Sequence, residues 1–312
     1  MENSKIETKR SKRLPSWFRD LGSKRKATSS LNNQLKETRK LQDIPASICE
    51  EAKCPNRSEC FAKGVLTFMI LGTTCTRNCG FCSVAHGTPM PPDKNEASKI
   101  VASIEALNLK FVVLTSPNRD DLPDGGAAHY AYIIQSIHDK FPKVKVEVLI
   151  PDFQGRVEDL KTVLDAKPDV LNHNLETVPS LYTTVRRGSL YQRSLDVLQN
   201  SKKLAPDILT KTGIMMGLGE EREELIEIFK DINKLDVDIL TMGQYLKPDK
   251  ESLEVVRYYS PEEFDTLKSL AETENIPYVF SGPLVRSSYL ADSVFEDIES
   301  KDLKSCLKKS LG

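Results

Sequence analysis

Leu66-Thr67-Phe68-Met69-Ile70-Leu71-Gly72-Thr73-Thr74-Cys75-Thr76-Arg77-Asn78-Cys79-Gly80-Phe81-Cys82 joins an apolar run of strand length to a polar loop carrying three cysteines. The run predicts a strand over 66–71, and Gly72 punctuates its end. Working outward, short apolar runs at 111–115, 144–150, 170–175, 208–216, 239–244 and 278–281 predict further strands. Between them, 97–107, 127–140, 156–165, 220–235 and 261–274 carry helical spacing. Strand alternating with helix predicts an α/β fold on a parallel sheet, closed or partly closed; a doubly wound sheet is the alternative. Polar or glycine-rich residues follow several strands: Gly72-Thr73-Thr74, Ser116 to Asp121, Glu176-Thr177 and Gly217-Leu218-Gly219-Glu220. In (β/α) barrels the loops at the strand C-termini carry the site, so chemistry is expected there.

Six of the seven cysteines fall between positions 49 and 82 of a 312-residue chain. Dense cysteines in one segment of a large chain point to metal or redox chemistry rather than to a disulfide framework. Cys75, Cys79 and Cys82 are separated by three and then two residues. Three thiolates on one short loop can hold three irons of a four-iron cluster, and with no fourth cysteine in the loop one iron is left open. An open iron can chelate the amino and carboxylate groups of a small molecule. A structural zinc site is the alternative, disfavoured because zinc fingers pair two cysteines with another pair or with histidines. His86, just after the loop, reads as a loop residue. Cys49, Cys54 and Cys60 form a second triplet, with four and then five residues between them. It can hold a second cluster, whose task would be electron transfer, substrate binding or sulfur supply. One structural metal shared by all six thiolates is harder to build across the intervening strand. Cys306 sits in a Lys-rich tail with no neighbouring ligand and reads as a bystander.

The 44 basic and 45 acidic residues leave a formal net charge of −1, so no global field argues for nucleic acid or anionic lipid. The longest apolar run, 65–71, is far short of the roughly 20 residues that a membrane-spanning helix needs. No apolar stretch follows Lys5, Glu7, Lys9 and Arg10, so no secretory signal is expected, and Glu2, Glu7 and Asp20 argue against a transit peptide. A cytoplasmic protein is expected. Residues 1–40 read as a basic extension, a solvated or partner-docking arm in preference to a nucleic-acid arm, with Leu14 to Phe18 as an apolar anchor. Residues 41–64 are expected to carry the second triplet, 65–282 the barrel, and 283–312 a C-terminal segment.

The Cys75–Cys82 spacing, with Phe81 before the last cysteine, resembles the radical S-adenosylmethionine superfamily. The two triplets together, in this order and spacing, resemble the lipoyl synthase family. Further stretches carry the likeness over nearly the whole chain: Asn118 to Gly126, Asn172 to Thr177, Thr210 to Gly213, Leu240 to Leu246, and Arg286-Ser287-Ser288-Tyr289. The resemblance implies a partial (β/α) barrel of the radical SAM type, with N- and C-terminal extensions covering its open end. It implies two [4Fe-4S] clusters and S-adenosyl-L-methionine. Cys75, Cys79 and Cys82 would hold the reducing cluster; Cys49, Cys54, Cys60 and Ser288 would hold a sulfur-donating one, with Ser287 as the alternate to Ser288. The implied reaction replaces one hydrogen at each of carbons 6 and 8 of an octanoyl chain with sulfur. The chain is carried on a lysine of lipoyl-carrier domains, such as the glycine cleavage H protein or the 2-oxoacid dehydrogenase E2, with ferredoxin or flavodoxin as electron donor. Family members often follow the Arg-Ser-Ser-Tyr run with His-Ala, where this chain has Leu290-Ala291.

Cofactor contacts are expected from Phe81, Asp124, Gly125, Gly126, Asn174, Glu176 and Lys211. Glycine at 125 and 126 lets backbone approach a ligand closely, although an ordinary turn would use the same residues. Asn172, Asn174 and Glu176 alternate and so share one face. Buried polar groups are costly unless paired, which favours a ligand-facing role for Asn174 and Glu176 and leaves His173 structural. Lys211 reads equally as a partner for the cofactor carboxylate and as a solvated strand-end lysine. A different radical sulfur-inserting or methylthiolating enzyme, and an electron-carrying iron–sulfur protein with no open iron, are the competing readings.

Overall fold

The computed structural model describes residues 14–17, 45–51, 56, 60, 65–288 and 295. Its strands are β1 (Val65–Met69), β2 (Thr74–Cys75), β3 (Ala85–His86), β4 (Phe111–Thr115), β5 (Lys145–Leu149), β6 (Val170–Asn172), β7 (Leu209–Met216), β8 (Ile239–Gln244) and β9 (Tyr278–Gly282). Its helices are α1 (Ile48–Glu51), α2 (Glu96–Leu107), α3 (Ala127–Lys140), α4 (Val157–Asp165), α5 (Tyr182–Val185), α6 (Tyr191–Leu204), α7 (Arg222–Lys234) and α8 (Pro261–Thr273). Seven strands form one parallel sheet in the order β1-β4-β5-β6-β7-β8-β9, and β2 pairs with β3 separately. Sequence order equals spatial order, as repeated βα units dictate. The row ends at β1 and β9 without closing, which makes a partial barrel.

Strand residues alternate between two buried environments, as parallel strands covered by helices require. Leu66, Phe68, Val112, Leu114, Val146 and Val148 point outward and pack with Ile100, Ile104, Tyr130, Ile134 and Val163 of α2, α3 and α4. Ile214, Met216, Leu240 and Met242 do the same against α7 and α8. In α7, Leu225, Ile228, Phe229 and Ile232 recur at helical spacing and are buried, each contributing about 1.5–3 kcal/mol. A capping box between Glu221 and Glu224 starts that helix.

The inward alternates build the interior of the barrel. Its lower end is filled by Phe111, Val113, Val170, Ile239 and Phe295. Above them lies a buried ion pair. The Nζ of Lys211 donates to both carboxylate oxygens of Glu147 at 3.0 and 3.1 Å, and Asn172 Nδ2 donates to the same carboxylate at 3.1 Å. Both charged side chains are 1% exposed, so Lys211 is neither a solvated lysine nor free to meet a cofactor. Lys211→Met would leave a buried carboxylate unpaired and is expected to cost about 3–5 kcal/mol in urea unfolding, whereas adding Glu147→Leu should restore most of it.

The edge of β1 is covered by the chain preceding it. Ser47 bridges Phe68 antiparallel, and Met69 N–H donates to Ala46 O at 2.8 Å. Asn56 donates its side-chain amide to Leu284 O, joining the region of the second cysteine triplet to the C-terminal segment. Among the described residues no helix is long and apolar enough to cross a membrane.

Each of the seven expected strands is present, with ends shifted by up to three residues. Helix α6 was not expected, because Ser194 and Ser201 occupy its buried face beside Leu195, Val197 and Leu198 and hide its apolar period. Their hydroxyls are satisfied locally: Ser201 donates to Val197 O at 2.8 Å, and Ser194 accepts from Arg186 at 2.7 Å.

Candidate active site

The cysteine loop leaves β1 through Leu71, whose φ of +65° is unusual for a non-glycine residue. That backbone is held from both sides. Its N–H donates to Glu96 Oε2 at 2.9 Å, and its carbonyl accepts from Arg119 Nη1 at 2.7 Å. Further along, Arg77 lies between the first two cysteines with its side chain 6% exposed. Its guanidinium meets Asp120 at 2.7 and 2.8 Å and Asp152 at 2.7 and 2.9 Å. Burial opposes ionisation of Asp152, yet the hydrogen bonds and charge of Arg77 hold its carboxyl well below the usual range. Thr76 N–H and hydroxyl both donate to Asn118 O at 3.0 Å. The loop after β4 thus splints the cysteine loop.

Cys75, Cys79 and Cys82 line one cavity of about 470 Å³. Cys75 Sγ accepts from the N–H groups of Arg77 at 3.4 Å and Asn118 at 3.3 Å, and Cys82 Sγ accepts from Val84 N–H at 3.5 Å. Such donors suit sulfur that carries negative charge. Burial pushes the Cys79 thiol up to about 12 and the Cys82 thiol up to about 11. Without a cation these sulfurs hold their protons at neutral pH, so a metal that binds them must release protons.

The opposite wall comes from β6 and the chain beyond it. The β6–β7 register pairs Asn172 with Lys211 and then Glu176 with Ile214, so one extra residue has entered on the β6 side. This bulge puts Glu176 at φ +68°, and Thr212 mends the gap by donating to His173 O and accepting from Leu175 N–H. Asn174 and Glu176 both line the cavity, with Asn174 Nδ2 donating to Glu176 Oε1 at 3.0 Å. Burial raises Glu176 above the usual carboxyl range. The Oδ1 of Asn174 is buried with no hydrogen-bond partner, as an atom reserved for a ligand would be. Arg186 adds a cation to the same wall, donating to Tyr182 and Ser194 at 3.0 and 2.7 Å. His173 points away into α6. Burial, with the charge of Arg186, pushes it down to about 3, and it donates through Nδ1 to Ile150 O at 2.9 Å.

The C-terminal segment reaches this cavity because β8 carries glycine at 243. A Cβ there would lie 1.9 Å from Val285 O, so no side chain fits under the crossing segment. Val285, Arg286, Ser287 and Ser288 consequently join the cavity wall, and Ser287 Oγ accepts from Asn174 Nδ2 at 3.1 Å. Of the second triplet, Cys60 is buried; Cys54 and the side chain of Cys49 lie outside the described residues, as does Cys306. On the neighbouring α1, Ile48 lines the cavity and Glu51 O accepts from Ser83 at 2.8 Å.

Two groups of expected cofactor contacts lie outside the cavity wall. Lys211 is committed to Glu147 below the cavity. Asp124, Gly125 and Gly126 are absent from the cavity wall and instead start α3: Asp124 accepts from Gly126 and Ala128 N–H at 2.9 and 2.8 Å. Gly126, at φ +92°, leaves room for Leu71, whose Cδ1 would lie 2.3 Å from an added Cβ. Gly126→Ala is expected to cost about 1–3 kcal/mol, read as a lowered urea midpoint with unchanged slope. Phe81, Asn174 and Glu176 are brought together in the cavity. Arg77 and Arg186 were missed. The arginines sit at Cys-Thr-Arg-Asn-Cys and Val-Arg-Arg-Gly, where a cation beside a cysteine loop and one before a glycine turn were the available signals.

Residues 69–232 match the model of the Radical SAM superfamily. Two solved structures share the fold: HydG, a maturase of the [FeFe]-hydrogenase, and Streptococcus suis SuiB bound to S-adenosylmethionine. HydG is 16% identical with a TM-score of 0.55, over 69% of this chain and 51% of its own. SuiB is 13% identical with a TM-score of 0.51, over 72% of this chain and 55% of its own. An open parallel barrel with three cysteines after its first strand therefore belongs, in this chain, to a radical SAM enzyme, which uses a [4Fe-4S] cluster and S-adenosylmethionine. Among curated proteins, the lipoyl synthase of Desulfotalea psychrophila is 51% identical over 253 residues, 81% of this chain and 85% of that protein. The lipoyl synthase of Vibrio vulnificus is 46% identical over 302 residues, 96% of this chain and 93% of that protein. The chain belongs to the lipoyl synthase family.

Proposed function

We propose that this enzyme inserts two sulfur atoms, at C6 and C8, into an octanoyl chain held as an amide on a lysine of a lipoyl-carrier domain, giving the lipoyl group. The observation that carries this reading is the shared cavity: the Cys75–Cys82 loop and the Ser287-Ser288 segment face one space. Saturated carbons offer no acidic proton and no polarised carbonyl, so radical chemistry is required. When bound, the cluster and S-adenosylmethionine supply a 5′-deoxyadenosyl radical that removes such hydrogens.

The chain's own residues bind, orient and exclude water. Cys75, Cys79 and Cys82 hold the reducing cluster, with the backbone N–H donors at Cys75 and Cys82 favouring thiolate. Glu176 and Arg186 offer opposite charges to one wall, which suits the amino and carboxylate groups of a methionyl zwitterion, and Phe81 offers an aromatic face to the adenine. Asn174 Oδ1 gains a partner there. Cys49, Cys54, Cys60 and Ser288 hold a second [4Fe-4S] cluster that is the sulfur substrate. Ser288 is assigned in preference to Ser287, whose hydroxyl is engaged by Asn174. An oxygen ligand binds iron less tightly than thiolate does and lets that iron leave as carbon–sulfur bonds form. The glycine cleavage H protein and 2-oxoacid dehydrogenase E2 are the proposed acyl carriers, ferredoxin or flavodoxin the reductant, and the cytoplasm the compartment. The basic arm at 1–40 fits docking to acidic carrier domains.

The test builds the second cluster with heavy sulfide, adds unlabelled sulfide to the assay and weighs the product on an octanoylated carrier peptide. Both sulfurs should be heavy, and product should stop at one per chain. Unlabelled sulfur in the first turnover would sink the reading.

A further inference from the structure

The cavity stops at a definite layer. Leu149, Asn174, Gly213 and Thr241 line its wall. Two residues back along three of those chains stand Glu147, Asn172 and Lys211, facing the same interior but outside the lining. These three form the network already described, in which both charged side chains are 1% exposed. Beneath it comes the apolar packing around Val113, Val170 and Ile239. Going down the barrel, open space gives way to a dry ion pair and only then to hydrocarbon.

Apolar residues of similar volume would fill that layer at no loss of stability, so the pair's use lies elsewhere. Its difference from hydrocarbon is resistance to repacking. An apolar floor yields to an extra methylene by shifting rotamers. Glu147 and Lys211 cannot part without leaving two uncompensated charges against an alkyl chain. Asn172 fixes the carboxylate from a third direction.

We propose that the Glu147–Lys211 pair, braced by Asn172, is the floor that limits acyl length, which makes these two residues determinants of chain-length specificity. The inference rests on the acyl substrate proposed above and on its free end pointing down the barrel. It also gives Lys211 a role in substrate selection in place of cofactor binding.

The test measures binding of hexanoyl-, octanoyl- and decanoyl-lysyl carrier peptides to the fully loaded enzyme without reductant, so that no turnover occurs, and then product formation with reductant. Glu147→Ala with Lys211→Met lowers the floor without leaving a lone charge. It should raise the decanoyl-to-octanoyl binding ratio at least about tenfold, the scale of one or two methylenes in an apolar pocket. Glu147→Leu with Lys211→Met refills the same space and should keep the wild-type ratio. Thr241→Leu, which adds volume at the base of an open cavity, should favour hexanoyl over octanoyl by a similar factor. Ratios unchanged in both the lowered and the raised floor would overturn the proposal, as would equal loss of all three peptides, the signature of a purely structural pair. If the wild type binds the octanoyl peptide but forms no thiolated product, the proposed reaction falls while the ratios still judge the floor. If it binds no acylated peptide, both fall.

Discussion

Cys79→Ala is expected to abolish both 5′-deoxyadenosine formation and sulfur insertion, while Cys54→Ala should spare the first and abolish the second. Cys79 shares its loop and its cavity with Cys75 and Cys82, and among the described residues no further cysteine lines that cavity to replace it. With only two thiolates the loop would hold a cluster less firmly in the cavity that Asn174, Glu176 and Arg186 also line. Cys54 lies outside the described residues; Asn56, two positions on in sequence, donates to Leu284 O of the C-terminal run. Chromatography of nucleoside products, alongside mass spectrometry of the carrier peptide, separates the two outcomes. Thiolated product from Cys54→Ala would remove the second triplet as the sulfur source.

Arg77→Met is expected to cost about 3–5 kcal/mol and to lower iron loading, because it removes the cation of Asp120 and leaves buried Asp152 only the longer contact with Arg193 at 3.4 Å. The Asp152 side chain is 0% exposed. Its folded pKa lies below the unfolded value of about 3.9, so the stability it contributes is present in full above that value. It is lost as pH falls from there toward the depressed folded value. In Arg77→Met the buried carboxylate keeps only Arg193, so its charged form is favoured less and acid costs the variant less than the wild type. The gap between wild type and variant should therefore narrow as urea unfolding of the iron-free protein is repeated from pH 7 down to pH 3. A gap that stays constant would show that Asp152 is not the acidic half of the anchor.

Sequence periodicity reported the barrel well because parallel strands covered by helices are apolar on both faces. Of the longer elements among the described residues α6 escaped, where serines replace apolar residues on the packed side. The three-cysteine loop was legible because the chemistry of its ligands sits within eight residues. The surroundings of Lys211 and Asp124 were not legible for the opposite reason. A lysine two residues into a strand is assigned by what faces it across the barrel, and Glu147 is 64 positions away. Asp124 could serve a ligand or a helix start, and only the position of α3 decides between them. Asn174 and Glu176 were expected on one face by simple alternation. They do share the cavity, but through a bulge that alternation alone would not place.

The bond between Asn56 and Leu284 spans 228 positions. During synthesis it forms only once Leu284 has emerged, long after Asn56. The anchors of the Cys75–Cys82 loop, Asp120 and Asp152, are translated within 75 positions of Arg77. The two cysteine triplets are thus close neighbours in the gene, but the contacts around them form on different schedules. The ion pairs of Arg77 can form while the second half of the barrel is still being made, whereas Gly80 of the same loop waits for Val185 and Leu253, and Asn56 waits for Leu284.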